Sequence, residues 1–390
     1  MYSKYNIYLR DFPRNSFLTI YNLFSQKAIC IQNNVFELGV DRTLENKLKS
    51  IGMIVEDCDL EYRNVLKYYN EVSNSKDELN IMLLLTQRCN CKCIYCYEEG
   101  SIMDGTDLEN IDDIYYFLLE YVKEYGYKKI NIVFYGGEPL LNKKKIDILS
   151  EKLFKKYGNN YCFDIVTNGT LIELNDILLW KEYGLRRVKI TVDGDEESHN
   201  CRRPLKNGAN AYQIILDKME RISSIVDVLI NVVVDETFYG IESMVDEFLD
   251  KNIKAKFSIS IREPDVYDYN VKARIIMHYS KILADKGVYQ FSKMGGNHGV
   301  ICAGKRQNSF VIDTRRNVYY CNGNFNYKMP LSIKNMLKQE YIITDNCKNC
   351  KYLPICYGEC RFNPKCQKEY YDIVVDELLK TYLKEKKNIY

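Results

Sequence analysis

Between Asn80 and Arg262 the chain alternates short, almost wholly apolar runs with longer stretches in which apolar residues recur at helical spacing. The runs are Asn80–Thr86, Ile130–Tyr135, Cys162–Thr167, Val188–Asp193, Val228–Val234 and Ala255–Ile261. Each is rich in β-branched residues, as expected of parallel strands covered on both faces. The segments between them, such as Leu108–Tyr125, Lys143–Tyr157 and Ile241–Lys251, read as amphipathic crossover helices. Repeated βα units predict an α/β fold, a partial (β/α)6 TIM-like barrel over residues 79–262.

The flanks differ. Residues 1–78 hold strand-like Phe17–Leu23 and Ala28–Gln32, a helical Leu44–Ile51 and a charged, linker-like Glu71–Glu78, which predicts a small α+β module. Residues 263–297 read as a connecting helical segment. Residues 298–390 form a cysteine-rich tail with a C-terminal helix and otherwise little periodicity. Such a tail buries little apolar surface, so bound metal would have to hold it together.

Composition narrows the function classes. Lys and Arg total 55 against 53 Asp and Glu, and no basic stripe is present, which argues against a nucleic-acid or anionic-membrane partner. Met1–Arg10 lacks a secretory signal pattern, and the apolar run near Ile81–Leu85 falls far short of the about 20 residues of a membrane helix. A cytoplasmic location is the expectation. In that reducing setting, 15 cysteines at short fixed spacings suggest metal ligands rather than disulfides.

Cys89, Cys93 and Cys96 follow the first barrel strand, at the strand end where βα folds place their chemistry. Three thiolates on one short loop can hold three irons of a cubane cluster and leave the fourth open to a chelating small molecule. A zinc knuckle would want a fourth Cys or His nearby. The Cys-x3-Cys-x2-Cys loop, with Tyr95 before its last cysteine, resembles the radical S-adenosylmethionine (SAM) superfamily. Further matches come in order: Gly136-Gly137-Glu138-Pro139 ends the second strand, Thr167-Asn168 the third and Thr191-Val192-Asp193 the fourth, with Arg202-Arg203 beyond. The resemblance implies a [4Fe–4S] cluster on the three cysteines. It also implies SAM, with its amino group received by the backbone of residues 136–139 and its carboxylate by Thr191 and Arg203.

In the tail, Cys302 and Cys321 precede Cys347-x2-Cys350-x5-Cys356-x3-Cys360 and Cys366, a pattern that resembles the SPASM extension of radical SAM enzymes. A zinc ribbon could use the same thiols. The SPASM resemblance implies two auxiliary [4Fe–4S] clusters: Cys347, Cys350, Cys356 and Cys366 around the outer one, and Cys302, Cys321 and Cys360 around the inner one. The inner cluster is a ligand short, which leaves an open iron, His298 or a substrate cysteine as its completion. Cys30, Cys58, Cys91, Cys162 and Cys201 fit no set and read as buried free thiols.

These features point to a ribosomally made, Cys-containing precursor peptide as substrate, thioether crosslinks as one outcome, and a flavodoxin or ferredoxin as external electron donor. The first alternative is an anaerobic sulfatase maturase, although Asn322 stands where those enzymes resemble one another in having Asp. A zinc-stabilised binding scaffold is the non-enzyme alternative.

Overall fold

The computed structural model describes residues 1–37, 39–96, 105–262, 268–291, 301–321, 343–359 and 365–386. Near the N-terminus, β1 (Asn6–Arg10), β2 (Phe17–Asn22) and β3 (Ala28–Gln32) pair antiparallel in that order, and α1 (Asn33–Glu37), α2 (Arg42–Ser50) and α3 (Cys58–Ser73) follow. Asp41 caps α2 by accepting from the Leu44 amide at 2.7 Å. The two-residue period of β2 sends Leu18 and Ile20 to one face, against Leu48 and Met53, and Tyr21 to the other. Glu71–Glu78 is not all linker, because α3 runs to Ser73 and the next strand starts at Glu78.

The six apolar runs are strands: β4 (Glu78–Thr86), β5 (Lys129–Gly136), β6 (Tyr161–Thr167), β7 (Leu185–Thr191), β8 (Asp227–Val234) and β9 (Ala255–Ile261). Between them lie α4 (Ile111–Tyr125), α5 (Lys143–Tyr157), α6 (Leu174–Glu182), α7 (Glu196–Arg202), α8 (Ala211–Ile222) and α9 (Ile241–Asp250). Beyond come α10 (Tyr269–Asp285), β10 (Ser309–Ile312), β11 (Val318–Tyr319), α11 (Asp345–Lys348), α12 (Leu353–Cys356) and α13 (Lys368–Glu385). The sheet is open, with the order β11-β10-β4-β5-β6-β7-β8-β9. Its six predicted strands are parallel to their neighbours, and β10 extends the array beside β4, also in parallel. β10 and β11 are four and two residues long, too short to show a period in the sequence.

One face of the sheet carries the helices. Phe310 meets Tyr121 of α4 edge-on at 5.4 Å, and Phe257 meets Phe248 of α9 at 5.8 Å. The opposite, inner face holds an apolar cluster of Leu84, Val311 and Tyr319 toward one side. Toward the other, Asn231 accepts from Ser258 at 3.3 Å and Ser260 at 2.9 Å.

The chain divides into two compact units, and they do not follow the four predicted segments. Asn74–Arg262 and Arg306–Gln339 form one; Met1–Ser73, Glu263–Lys305 and Glu340–Tyr390 form the other. In this second unit Ile7 and Leu9 of β1, Tyr69 of α3, Ala273 of α10 and Val375 and Leu379 of α13 share a single buried core. The tail therefore has an apolar partner of its own in the N-terminal residues, contrary to the expectation that only metal could hold it. Its cysteine segment is fastened by polar contacts as well. Tyr69 donates to the Lys305 carbonyl at 2.9 Å, and the Lys305 ammonium donates to the carbonyls of Cys356 at 2.8 Å and Gly358 at 2.7 Å.

Leu379 is fully buried, so Leu379→Ala removes its apolar area and leaves a cavity, at a cost of about 2–5 kcal/mol. Because the core is shared, limited proteolysis of this variant should cut within residues 1–73 and within 368–386 at the same urea concentration. An N-terminal module that survives loss of the C-terminal helix would contradict the shared core.

Candidate active site

The cysteine loop is fixed by backbone pairing. The Asn90 carbonyl accepts from Lys206 N at 2.9 Å, Lys92 N donates to the Pro204 carbonyl at 2.8 Å, and Ile94 N donates to the Arg202 carbonyl at 3.0 Å, with Cys91 bridged to Leu205. This alternation is that of an antiparallel ladder, so the loop after β4 is zipped to the segment after α7. Cys91 is buried against Leu205 and Ala211, with Cys89 and Cys93 beside it. Of the five cysteines outside the predicted sets, Cys91 is the buried one; Cys30, Cys58 and Cys162 are half-buried and Cys201 is exposed.

Cys89 Sγ receives the Cys91 amide at 3.4 Å and the Asn168 side-chain amide at 3.9 Å. A hydrogen bond from the Cys91 thiol, helped by the Arg203 guanidinium, outweighs burial and lowers the Cys93 thiol to about 7. The Cys91 thiol also lowers Cys89 and is itself pushed up. Iron binds the thiolate, so three thiols on a braced loop, two of them acidified, suit a cluster with one open iron. Among the described residues no three His, Cys, Asp or Glu converge on a single-ion position, and a cubane, whose ligands sit on separate irons, does not need them to.

The glycine turn after β5 is stapled to the approach to this loop. Gly137 N donates to the Thr86 carbonyl at 2.9 Å and Glu138 N to the Arg88 carbonyl at 2.8 Å. A Cβ on Gly136, whose φ is +135°, would come within 2.2 Å of the Thr86 oxygen, and one on Gly137 within 2.4 Å of the Arg88 oxygen. Contact with the protein's own backbone thus already demands these glycines. Glu138 is fully buried and accepts from Leu140 N at 3.0 Å, Thr167 Oγ1 at 2.7 Å and Asn168 N at 2.7 Å. Burial pushes its carboxyl up, and those donors offset part of the rise. Its side chain joins β5 to β6, which leaves the backbone of this turn as the part open to a ligand; Pro139, also buried, starts the short turn that Glu138 caps.

Thr167 and Asn168 are likewise occupied. Asn168 donates to Asn90 Oδ1 at 2.7 Å, Asn90 to Thr170 Oγ1 at 2.9 Å, and Thr170 back to Asn168 Oδ1 at 2.6 Å. This closed ring ties the cysteine loop to the end of β6.

Past β7, Tyr95 donates to Asp193 and accepts from Arg203 Nη1 at 2.7 Å. Its ring lies 5.1 Å from the Arg202 guanidinium and 5.8 Å from that of Arg203. Asp193 also accepts from Val233 N at 2.9 Å; burial pushes its carboxyl up, and the Arg203 charge and the Tyr95 hydroxyl pull it back. His199, held down at about 3 by burial and the Arg203 charge, stays neutral and accepts from Asp193 N at 3.2 Å. Arg202 is taken up by Asp235 at 3.1–3.2 Å and the Val233 carbonyl at 3.0 Å. The Nε atoms of Arg202 and Arg203 are both buried with no hydrogen-bond partner among the described residues; that of Arg202 lies 3.6 Å from Asp193, and that of Arg203 is left as a donor for a carboxylate. Thr191 is half-buried at the end of β7, in register with Asn231 on the inner face.

Asn90, His199 and Asp235 escaped the sequence reading. Asp235 follows the end of β8 as Asp193 follows the end of β7, so the same polar-residue-at-a-strand-end signal applied to it.

In the second unit Cys347, Cys350 and Cys356 are half-buried and Cys366 is exposed. Burial raises the Cys350 thiol, with Cys347 and Cys366 adding to the rise, and burial raises Cys356, with Cys350 and Cys347 adding; these four cysteines are electrostatic neighbours. Cys302 is exposed in the same unit, and Cys321 is half-buried in the other. Cys360, His298 and Asn322 lie outside the described residues.

Residues 83–250 match the family model described as Radical SAM superfamily. An uncharacterized protein of Methanocaldococcus jannaschii is 29% identical over 213 residues, 54% of this chain and 72% of that protein. The GTP 3′,8-cyclase of Staphylococcus haemolyticus is 28% identical over 199 residues, 48% of this chain and 56% of the cyclase. Among solved structures, anSMEcpe with bound AdoMet and Cp18Cys peptide superposes with a TM-score of 0.57 at 19% identity, covering 80% of this chain and 99% of that one. Streptococcus suis SuiB bound to precursor peptide SuiA gives a TM-score of 0.52 at 15% identity over 92% of this chain and 95% of SuiB. At those identities the two structures establish a shared fold. No helix among the described residues is long and apolar enough to cross a membrane.

Gly137→Ala places a methyl group against the Arg88 carbonyl beneath the cysteine loop. Anaerobic iron–sulfur reconstitution of this variant should bind markedly less iron than wild type, whereas Cys201→Ala, at an exposed thiol, should bind as much as wild type. Equal iron loading in Gly137→Ala would show that the turn does not brace the loop.

Proposed function

We propose that this chain, whose residues 83–250 make it a radical SAM enzyme, is a maturase that modifies a ribosomally synthesised, Cys-containing peptide. The observation that carries this reading is the pairing of a radical SAM family match with a fold shared, over 80% and 92% of this chain, with two proteins seen bound to peptides. When bound, the [4Fe–4S] cluster supplies the electron that divides SAM into methionine and a 5′-deoxyadenosyl radical able to take hydrogen from a substrate carbon.

The chain's own residues provide position and charge. Cys89, Cys93 and Cys96 would hold the cluster, on a loop kept in place by its ladder with residues 202–206. Arg203, with its orphaned Nε, would receive the SAM carboxylate, together with Thr191 at the end of β7. The N–H groups of Gly137 and Glu138 are spent on Thr86 and Arg88, so an incoming amino group would meet backbone carbonyls. Cys347, Cys350, Cys356 and Cys366, gathered in one unit, would hold an auxiliary [4Fe–4S] cluster. The SPASM resemblance adds a second auxiliary cluster, with a flavodoxin or ferredoxin as reductant. Thioether formation remains the preferred outcome. Anaerobic sulfatase maturation is the second reading, favoured by the higher TM-score of anSMEcpe.

Reduced enzyme and SAM should release 5′-deoxyadenosine and methionine, and a Cys-rich peptide encoded beside this gene should lose two mass units per crosslink, about 2 Da each. A sulfatase-derived peptide converted to formylglycine instead would select the second reading. Arg203→Met should weaken SAM binding by about 1.5–3 kcal/mol, the worth of a hydrogen bond to a charged group, as read by equilibrium dialysis. Unchanged SAM affinity would remove Arg203 from the site.

A further inference from the structure

The inner face of the sheet has a cationic row that the site above does not use. In β7, Val188 and Ile190 are fully buried on the helix side, where Ile190 and Ile215 of α8 both lie against Gly169. The strand's two-residue period therefore turns Lys189 and Thr191 to the inner face. Register places Lys189 between Val166 of β6 and Leu229 of β8, and Leu229 next to Lys256 of β9. Lys256 shares that face because its neighbour Phe257 packs on α9. The two lysines stand two strands apart, about 10 Å, and Thr191 is about 7 Å further along β7 toward the mouth.

Lys189 is half-buried, and among the described residues it has no hydrogen-bond or ion-pair partner. The neighbouring carboxylates are committed elsewhere. Asp164, beside Arg187 in the register, is gripped by Arg186 at 3.0 and 2.8 Å. Asp193 and Asp235 belong to the Tyr95, Arg202 and Arg203 network. Burial, and then the like charge of Arg187, lowers the Lys189 ammonium. A cation held partly out of water without a counter-charge is disfavoured, and a ligand's negative charge relieves that cost.

We propose that Lys189, flanked by Val166 and Leu229, forms an anion subsite on the inner face that receives a carboxylate of the substrate peptide, an Asp or Glu side chain near the modified residue. This rests on the peptide reading above. The surroundings favour a carboxylate over a phosphate. Val166 and Leu229 flank the lysine, whereas a phosphate chain calls for a cradle of backbone N–H groups, which a strand paired on both sides does not offer. Apolar flanks and a single ammonium suit a short acidic side chain whose methylenes lie on Val166 and Leu229.

The test uses the reconstituted holoenzyme with SAM and a pulse of acetic anhydride, read by peptide mapping. Glutarate should slow acetylation of Lys189 by roughly tenfold, the neutral isostere glutaramide should not, and the exposed Lys144 should react equally in both. An unreactive Lys189, equal labelling with and without glutarate, or protection by tripolyphosphate alone would each overturn the subsite. A second arm compares peptide pairs differing only by Glu or Gln. Wild type should prefer the Glu peptide in kcat/KM, Lys189→Met should lose the preference and Lys189→Arg should keep it. A preference that survives Lys189→Met overturns the proposal. Protection by glutarate with no peptide modified would leave the subsite standing and sink the peptide reading.

Discussion

The site depends on the ladder between Asn90–Ile94 and Arg202–Lys206. A loop at a strand end has no geometry of its own, and radical chemistry requires the reacting carbon within a few ångströms of the radical, so the cysteines must be held by something outside the loop. Three backbone hydrogen bonds supply that restraint without using a side chain. They also carry Arg202 and Arg203 to the cysteine loop, so the same segment that braces Cys89–Cys93 delivers the guanidinium that favours the Cys93 thiolate. Cys91, buried against Leu205, completes the brace from inside the loop.

Around this ladder, buried charge is nearly all spoken for. Glu138 ties β5 to β6, Asp193 ties Tyr95 to β8, and Asp235 neutralises Arg202. Each buried carboxylate carries the donors it needs, which is what makes its burial tolerable. Against that background two cations stand out. Arg203 keeps its buried Nε free, as Arg202 does, and Lys189 has no counter-charge among the described residues.

The second unit changes the meaning of the tail. Its cysteines are not stitched to an otherwise unstructured segment; they sit beside a core built jointly by β1, α3, α10 and α13. Lys305, bonded to the carbonyls of Cys356 and Gly358 and held by Tyr69, shows the N-terminal residues bracing the cysteine segment. Scaffolding of this kind accounts for an N-terminal module without a motif of its own.

The sequence by itself determined the six parallel strands, because strands buried on both faces must be continuous apolar runs, and it determined the cysteine loop, because thiolate spacing is local. It also marked Thr191 and Asp193 through their places at the end of the fourth strand, and Arg203 through the resemblance to radical SAM enzymes. The roles of Glu138, Asn168 and Tyr95 were decided only by the fold, since whether a polar side chain serves a ligand or the protein depends on which donors reach it from other strands. Asn90 and Asp235 acquired their importance in the same way. The shared core of the second unit was equally out of reach, because β1 and α13 are more than 350 residues apart and neither carries a signal naming the other as partner. Local pattern sets what each segment can become; long-range packing and charge pairing set which groups are left free to act.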